Sequence, residues 1–287
     1  MYTMHLPAVL ALWSTTLLNL GSASGSTGRE GATEPQRDAV ATNQRAMVSI
    51  AAAYRVMNTN PVEALEQARQ AVLQADLLNE AAVEHKALVC LARIEEQMGF
   101  FPSSMKSTLT ALQVAQDLGD PMMIAMDLRE LSRAYRLNGM PVKAVEEARN
   151  SLAMLLSIRN ETEIAAGQLV LIQAMIDAGQ LDQAYAQAST GMAKAKQQGD
   201  TVQQAQLNKA IGAVYVCQRN YPDAVVHLTQ AERILANRDM AAEQLGVYEA
   251  LTMAFIGLGR TEEALNSLGR ASGVLRKVDT WGNRQRV

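Results

Sequence analysis

Apolar residues recur at intervals of three and four along most of this 287-residue chain. One such run comprises Ile124, Leu128, Leu131 and Tyr135. This spacing places the four side chains on one face of an amphipathic helix. Asp120 before the run is a good N-cap residue, and Gly139 after it tolerates the left-handed backbone that ends many helices. The pattern predicts an all-α chain of such helices, because no long alternating run of β-branched residues is present.

The same pattern returns every 40 residues. At each step of 40 there is a small residue: Ala64, Ser104, Ala144, Ala184, Ala224 and Ala264. Five positions before these come Thr59, Gly99, Gly139, Gly179, Arg219 and Gly259, so that most copies have glycine there. Six copies in register, without an insertion or a deletion, indicate a tandem repeat.

Each repeat is predicted to be a hairpin of two helices, helix A and helix B. The glycine ends helix A, and a proline such as Pro141 begins helix B, where its missing N–H is not needed. The recurring small residue, Ala144 in this copy, lets the two helices approach closely where they cross. A hairpin cannot bury its apolar face alone, so neighbouring copies are expected to stack into an α-solenoid. The predicted hairpins span about residues 41–80, 81–120, 121–160, 161–200, 201–240 and 241–278.

The repeated residues resemble the tetratricopeptide repeat (TPR) family. That family places a small residue, an aromatic residue and an alanine at the positions that Ser132, Tyr135 and Ala144 occupy here. The resemblance covers about residues 45–278. The period of 40 exceeds the usual 34 and is similar to TPR arrays of bacterial extracytoplasmic and signalling proteins. The resemblance implies an all-α fold, a TPR-like right-handed superhelix of six tandem helical hairpins.

The resemblance also implies that the A helices line a concave groove that binds a protein or a peptide. The predicted groove residues are Lys86, Arg93, Arg129, Arg133, Arg136, Gln173, Gln206 and Lys209. Because of their spacing, Arg129, Arg133 and Arg136 share one helical face. Guanidinium groups bind carboxylates through paired hydrogen bonds, so the arginines predict an acidic peptide or a C-terminal carboxylate as the ligand. In the alternative interpretation they pair with acidic residues of the protein itself, namely Glu95, Glu96 and Glu130.

Composition and motifs do not indicate catalysis or nucleic-acid binding. The formal net charge is −3 and the isoelectric point about 5.7, so no basic surface for nucleic acid is expected. The three histidines form no catalytic or metal-binding motif. We therefore predict a non-enzymatic protein- or peptide-binding scaffold without cofactor or metal. The alternatives are an extracytoplasmic sensor module of a bacterial signalling system and a cytoplasmic adaptor. Cys90 and Cys217 are predicted to be buried structural thiols.

The two ends of the chain differ from the repeats. Residues 6–20 form an apolar run followed by small residues, which predicts a cleaved export signal over residues 1–24. Residues 25–40 are predicted to be a flexible leader. The protein is therefore expected to be periplasmic or secreted, with no stable membrane span, and a cytoplasmic location is the alternative. Residues 279–287 are predicted to be a tail too short to form a helix that covers the sixth hairpin. Either Trp281 folds back onto the apolar face of that hairpin, or this face meets another domain, a partner or a second copy.

Overall fold

The computed structural model describes residues 34–78 and 80–284, with side chains over 42–78 and 80–276. Over this part of the chain the protein is entirely α-helical. The helices are α1 (Glu34–Val56), α2 (Pro61–Leu78), α3 (Ala81–Gln97), α4 (Phe101–Leu118), α5 (Pro121–Leu137), α6 (Pro141–Ile158), α7 (Glu161–Asp177), α8 (Leu181–Gln198), α9 (Thr201–Cys217), α10 (Tyr221–Leu235), α11 (Ala241–Gly257) and α12 (Thr261–Arg284). Odd-numbered helices are the predicted A helices and even-numbered ones the B helices. The twelve described helices form six hairpins, which confirms the predicted fold.

The turns between helices have the conformations that the repeated glycines and caps predict. Gly139 follows α5 with φ of 71°, a left-handed backbone that glycine adopts without steric cost. Pro141 then begins α6. At the start of α5, the carboxylate of Asp120 accepts hydrogen bonds from the amides of Met122 (2.9 Å) and Met123 (3.1 Å). Similar caps occur at Asn160 and Asp200, and glycines with positive φ follow most A helices, so local residues set where these helices begin and end.

Small residues lie where the two helices of a hairpin touch. Ala144 in α6 is fully buried, and the hydroxyl of Ser132 in α5 donates to its carbonyl oxygen at 2.8 Å. In the fifth hairpin, a Cβ added to Gly212 of α9 would lie 2.5 Å from Leu228 Cγ of α10. Because only a hydrogen fits at this point, the two helices approach more closely than a larger residue would allow. The small residues that recur in the sequence therefore mark a recurring close contact between helix A and helix B.

The A helices form the inner side of the array. Helix α1 packs on α3, α5 on α7, α7 on α9, and α9 on α11, whereas the described B helices do not pack on one another to a similar extent. An array whose elements approach each other on one side curves toward that side. The A helices therefore line a concave face, and the B helices form the convex face.

The structure corrects the predicted boundaries at both ends of the array. Helix α1 begins at Glu34, so the last residues of the predicted flexible leader (25–40) are helical. Pro35 lies in the first turn of this helix, where its missing N–H costs nothing. Helix α12 continues to Arg284 and so includes most of the predicted tail (279–287). No proline interrupts this segment, and a helix already begun extends at little cost.

The predicted export signal, residues 1–24, lies outside the described residues. No helix in the described part of the chain combines the length and the apolar character needed to cross a membrane. The prediction for one cysteine is wrong, because Cys217 is exposed, whereas Cys90 is fully buried. Cys217 is the last residue of α9, on the side of the final turn that faces away from the core contacts of Tyr215 and Val216.

Candidate functional site

The predicted groove residues lie along successive A helices of the concave face. They are Lys86 and Arg93 on α3, Arg129, Arg133 and Arg136 on α5, Gln173 on α7, and Gln206 and Lys209 on α9. We call the concave faces of α3 and α5 the N-terminal half of the groove. The concave faces of α7, α9 and α11 are its C-terminal half. The two halves differ in how their side chains are partnered.

Ion pairs join the two A helices of the N-terminal half. Nε and Nη2 of Arg133 both donate to Oε2 of Glu96, at 3.0 and 2.8 Å. The carboxylate of Glu130 lies 3.8 Å from Nη1 of Arg133 and 3.9 Å from Nη2 of Arg93. All four side chains are partly buried. These contacts hold α3 and α5 together through charges that are partly shielded from water.

The other two arginines of α5 pair with the next A helix, α7. Arg129 is buried and pairs with Glu163. Nε of Arg136 donates to Oδ2 of Asp177 at 2.5 Å, and the amide of Gln173 donates to the other oxygen of that carboxylate at 2.9 Å. Each predicted arginine of the groove therefore faces a carboxylate of the protein itself.

The alternative interpretation of the arginines describes this arrangement better than a free basic patch does. Glu96 and Glu130 are partners of the arginines, as that interpretation states. Glu95 is not, because it is buried and accepts a hydrogen bond from the hydroxyl of Ser107 at 2.7 Å. Burial raises the pKa of the Glu95 carboxyl, although the bond from Ser107 acts in the opposite direction. Sequence reasoning missed Glu163 and Asp177, which lie 34 and 41 residues from their arginines.

A histidine–aspartate pair, which the sequence analysis did not find, joins α3 to α5 inside the packed face. Nε2 of His85 lies 2.7 Å from Oδ2 of Asp127, and both residues are buried. Three repeats further along the chain, the same two repeat positions hold Ala205 and Val247, which are buried in one apolar cluster. At these two repeat positions, the contact between neighbouring A helices is therefore polar in the N-terminal half and apolar in the C-terminal half.

Apolar side chains form much of the surface of the C-terminal half. They occupy the repeat positions of the charged residues of α5 and are Leu169 and Val170 on α7, Ala213 and Val216 on α9, and Met253 and Ile256 on α11. Met253 is 54% exposed and Ile256 is 65% exposed. Helices α7, α9 and α11 carry apolar residues all round rather than on one face. A helix with a solvent-facing side usually carries apolar residues on one face only. This pattern is therefore the sequence signal that could have predicted the apolar surface.

Lys209 in the C-terminal half has no carboxylate within 4.0 Å among the described residues. Lys209 occupies the repeat position of Arg129, and Glu243 that of Glu163, so an equivalent ion pair would be expected here. Instead, Oε1 of Glu243 accepts a hydrogen bond from the amide of Gln206 at 3.4 Å. Lys209 is half-buried. Lys209 is thus a partly shielded cation without a carboxylate partner among the described residues.

Comparisons with known proteins bear on the fold. No family model matches the chain, and no curated protein matches it in sequence. A kinesin light chain protein from Podosopora anserina with nearly identical TPR-like repeats has a TM-score of 0.59 at 20% identity, covering 69% of this chain and 98% of that one. The apo form of RapI has a TM-score of 0.68 at 13% identity, covering 96% and 93%. NprR in complex with its cognate peptide NprX has a TM-score of 0.68 at 13% identity, covering 95% and 75%.

The chain has a TPR-like fold. Its similarity to RapI extends over nearly the whole of both chains, so the likeness concerns the complete array and not a single hairpin. The resemblance inferred from the repeated residues is confirmed at the level of the fold, with a period of 40. At this low identity the likeness shows the fold alone, and the function of the TPR-like array has to be argued from the groove.

Proposed function

We propose that this TPR-like chain is a non-enzymatic scaffold that binds a protein or a peptide in its concave groove. The observation that carries the proposal is the exposed apolar surface of the C-terminal half, above all Met253 and Ile256. Large apolar side chains that lie together on a concave face favour a binding surface over a merely solvated one. A solenoid presents such an extended concave face by virtue of its curvature.

Two further observations support the proposal. One of the similar structures, NprR, is a complex with its cognate peptide. In this chain, the described histidines form contacts that hold helices together: His85 with Asp127, and Nδ1 of His227 with Oδ1 of Asn208 at 3.0 Å. These polar side chains act in packing, which is the role expected in a scaffold.

The proposal can be tested by selecting peptides on the purified protein from a random displayed library. The Ala213→Trp variant places a large side chain in the middle of the groove and should abolish binding of the selected peptides. The Val142→Trp variant is the matched control, because Val142 lies on the convex helix α6 and is 72% exposed. Peptides that bind the wild type and both variants equally, or a selection that yields no peptide, would contradict the proposal.

A further inference from the structure

The arginines of the N-terminal half are poor anchors for a ligand, because the protein's own carboxylates already engage them. Arg133 makes two hydrogen bonds to Glu96, and the buried Arg129 pairs with Glu163. An acidic ligand would have to displace a partner that is already partly desolvated and well oriented. The groove must therefore hold its ligand mainly through other side chains.

The C-terminal half offers an apolar surface together with Lys209, a cation that pairs with no carboxylate among the described residues. Val216, Met253 and Ile256 lie at the repeat positions that carry arginine or glutamate in the N-terminal half. Lys209 lies seven residues before Val216 on α9, about two helical turns away, with its stem against α11, where a Cβ added to Gly246 would be 3.5 Å from Lys209 Cδ. A partly buried ammonium group binds a carboxylate more strongly than one that is fully hydrated.

The other charges of the C-terminal half restrict how acidic a ligand can be. Glu249 is exposed on α11 and occupies the repeat position of Lys209 in the next repeat. Glu243 and Asp177 also lie in this half, and each is already hydrogen-bonded within the protein. Asp177 is neutralised by its ion pair with Arg136, but a second carboxylate on the ligand would be repelled by Glu249 or Glu243. The charges therefore favour a ligand with a single acidic group over a polyacidic one.

We propose that the C-terminal half binds an extended apolar peptide segment whose single carboxylate contacts Lys209, an inference that rests on the proposed function. Met253 and Ile256 lie seven and ten residues beyond Gly246 on α11, about 10 to 15 Å along the helix axis, so a segment of about six extended residues, about 20 Å long, reaches from Lys209 to both. The ligand is thus a short segment whose apolar side chains contact Val216, Met253 and Ile256. Its acidic group is an aspartate, a glutamate or a C-terminal carboxylate.

The test uses peptides selected on the wild-type protein and then synthesised in three forms. The acidic residue is kept, changed to glutamine or changed to lysine, and each affinity is measured by calorimetry. Lys209→Glu should weaken binding of the acidic form at least about tenfold and strengthen binding of the lysine form. Such a reversal requires direct contact and is independent of small changes in stability. The double variant Met253→Ser/Ile256→Ser should weaken all three forms.

A matched control is Lys106→Glu, the same change of charge on the convex helix α4, where Lys106 is exposed. It should alter affinity less than about twofold, because exposed charges more than about 10 Å from the ligand are screened. Selected peptides that are polyacidic, or an affinity that falls with Arg133→Gln and not with Lys209→Glu, would overturn this inference and leave the proposed function intact. Peptides that still bind the Ala213→Trp variant would overturn both.

Discussion

The two halves of the groove use the same repeat positions for opposite purposes. Arg133 and Glu96 form an ion pair between neighbouring A helices of the N-terminal half. Three repeats later, the same positions hold Met253 and Val216, and Met253 is more than half exposed. The charged side chains of the N-terminal half thus form ion pairs within the protein, whereas the proposed role of the apolar side chains of the C-terminal half is to contact an external partner. A repeat fold fixes the backbone and leaves the surface of each repeat free to differ.

The same difference continues beneath the surface, where His85–Asp127 in the N-terminal half corresponds to Ala205–Val247 in the C-terminal half. A buried polar pair is costly to break, yet an apolar pair of similar volume is often as stable. The N-terminal half should therefore be sensitive to the loss of one polar partner. The C-terminal half should instead be sensitive to changes of volume.

The largest effect is expected when one partner of the buried pair is removed. Asp127→Val should lower the free energy of unfolding by about 3 kcal/mol, because it leaves a buried histidine without its partner. The double variant His85→Ala/Asp127→Val reproduces the apolar pair Ala205–Val247 and should recover at least about half of that loss. Urea denaturation followed by circular dichroism measures both changes. Equal losses in the single and double variants would show that the pair does not act as a unit.

In the C-terminal half, the larger effect should come from added volume. Gly212→Ala should lower the free energy of unfolding by about 2 kcal/mol, because the new Cβ would lie 2.5 Å from Leu228 Cγ. Gly246→Ala is the matched control in the next A helix, where the nearest atom is Lys209 Cδ at 3.5 Å. It should be neutral or stabilising, since alanine favours a helix more than glycine does. If the two variants lose the same stability in urea, the close approach of α9 and α10 is not the cause.

A smaller effect is expected at the hairpin turn of the fifth repeat. Arg219 has φ of 60°, whereas the third repeat, in the N-terminal half, has Gly139 at the same position with φ of 71°. Arg219→Gly should raise the free energy of unfolding by about 1 kcal/mol, because a side chain in this conformation is strained. Gly139→Ala should lower the free energy of unfolding by a similar amount. Thermal unfolding of the two variants provides the comparison, and a destabilised Arg219→Gly protein would contradict it.

The smallest effect is the pH dependence of stability, which should have opposite signs at His227 in the fifth hairpin and at Glu95 in the second hairpin. Burial lowers the pKa of His227 in α10 from its usual 6.5 and raises the pKa of Glu95 in α3 from its usual 4.5. The contribution of His227 to stability is therefore intact above its unfolded-state pKa and decreases as pH falls through its folded-state pKa. The contribution of Glu95 is intact below its unfolded-state pKa and is lost as pH rises through its folded-state pKa.

Hydrogen exchange at about pH 7.5 and about pH 5 can resolve the two halves, once corrected for the intrinsic exchange rate. Protection of α10 should weaken at the lower pH, and His227→Gln should remove this dependence. The titration of Glu95 should not weaken the protection of α3 at the lower pH. At the higher pH, Glu95→Gln should increase the protection of α3. A loss of α10 protection that persists in His227→Gln would assign the effect to another group.

The turns and helix boundaries inside the array were predictable because their causes are local. Gly139 ends α5 and Asp120 caps it, and both requirements involve atoms only a few residues apart. The partner of Arg129 was not predictable in the same way, because Glu163 belongs to another repeat. Their contact depends on how two A helices are rotated and offset against each other, which residue spacing within one helix does not specify. Cys217 was misassigned for a similar reason, since its exposure depends on which side of α9 the neighbouring helices cover.

The amino-acid sequence alone sets the hairpin and its repetition, because glycine, proline, caps and apolar spacing act within a single repeat. Tertiary structure decides which groove residues are free. It pairs the arginines with carboxylates of adjacent A helices and leaves Lys209 without such a partner among the residues that the structure describes. The physical reason is distance, since burial and ion pairing arise between helices about 40 residues apart in sequence that meet only when the solenoid has stacked.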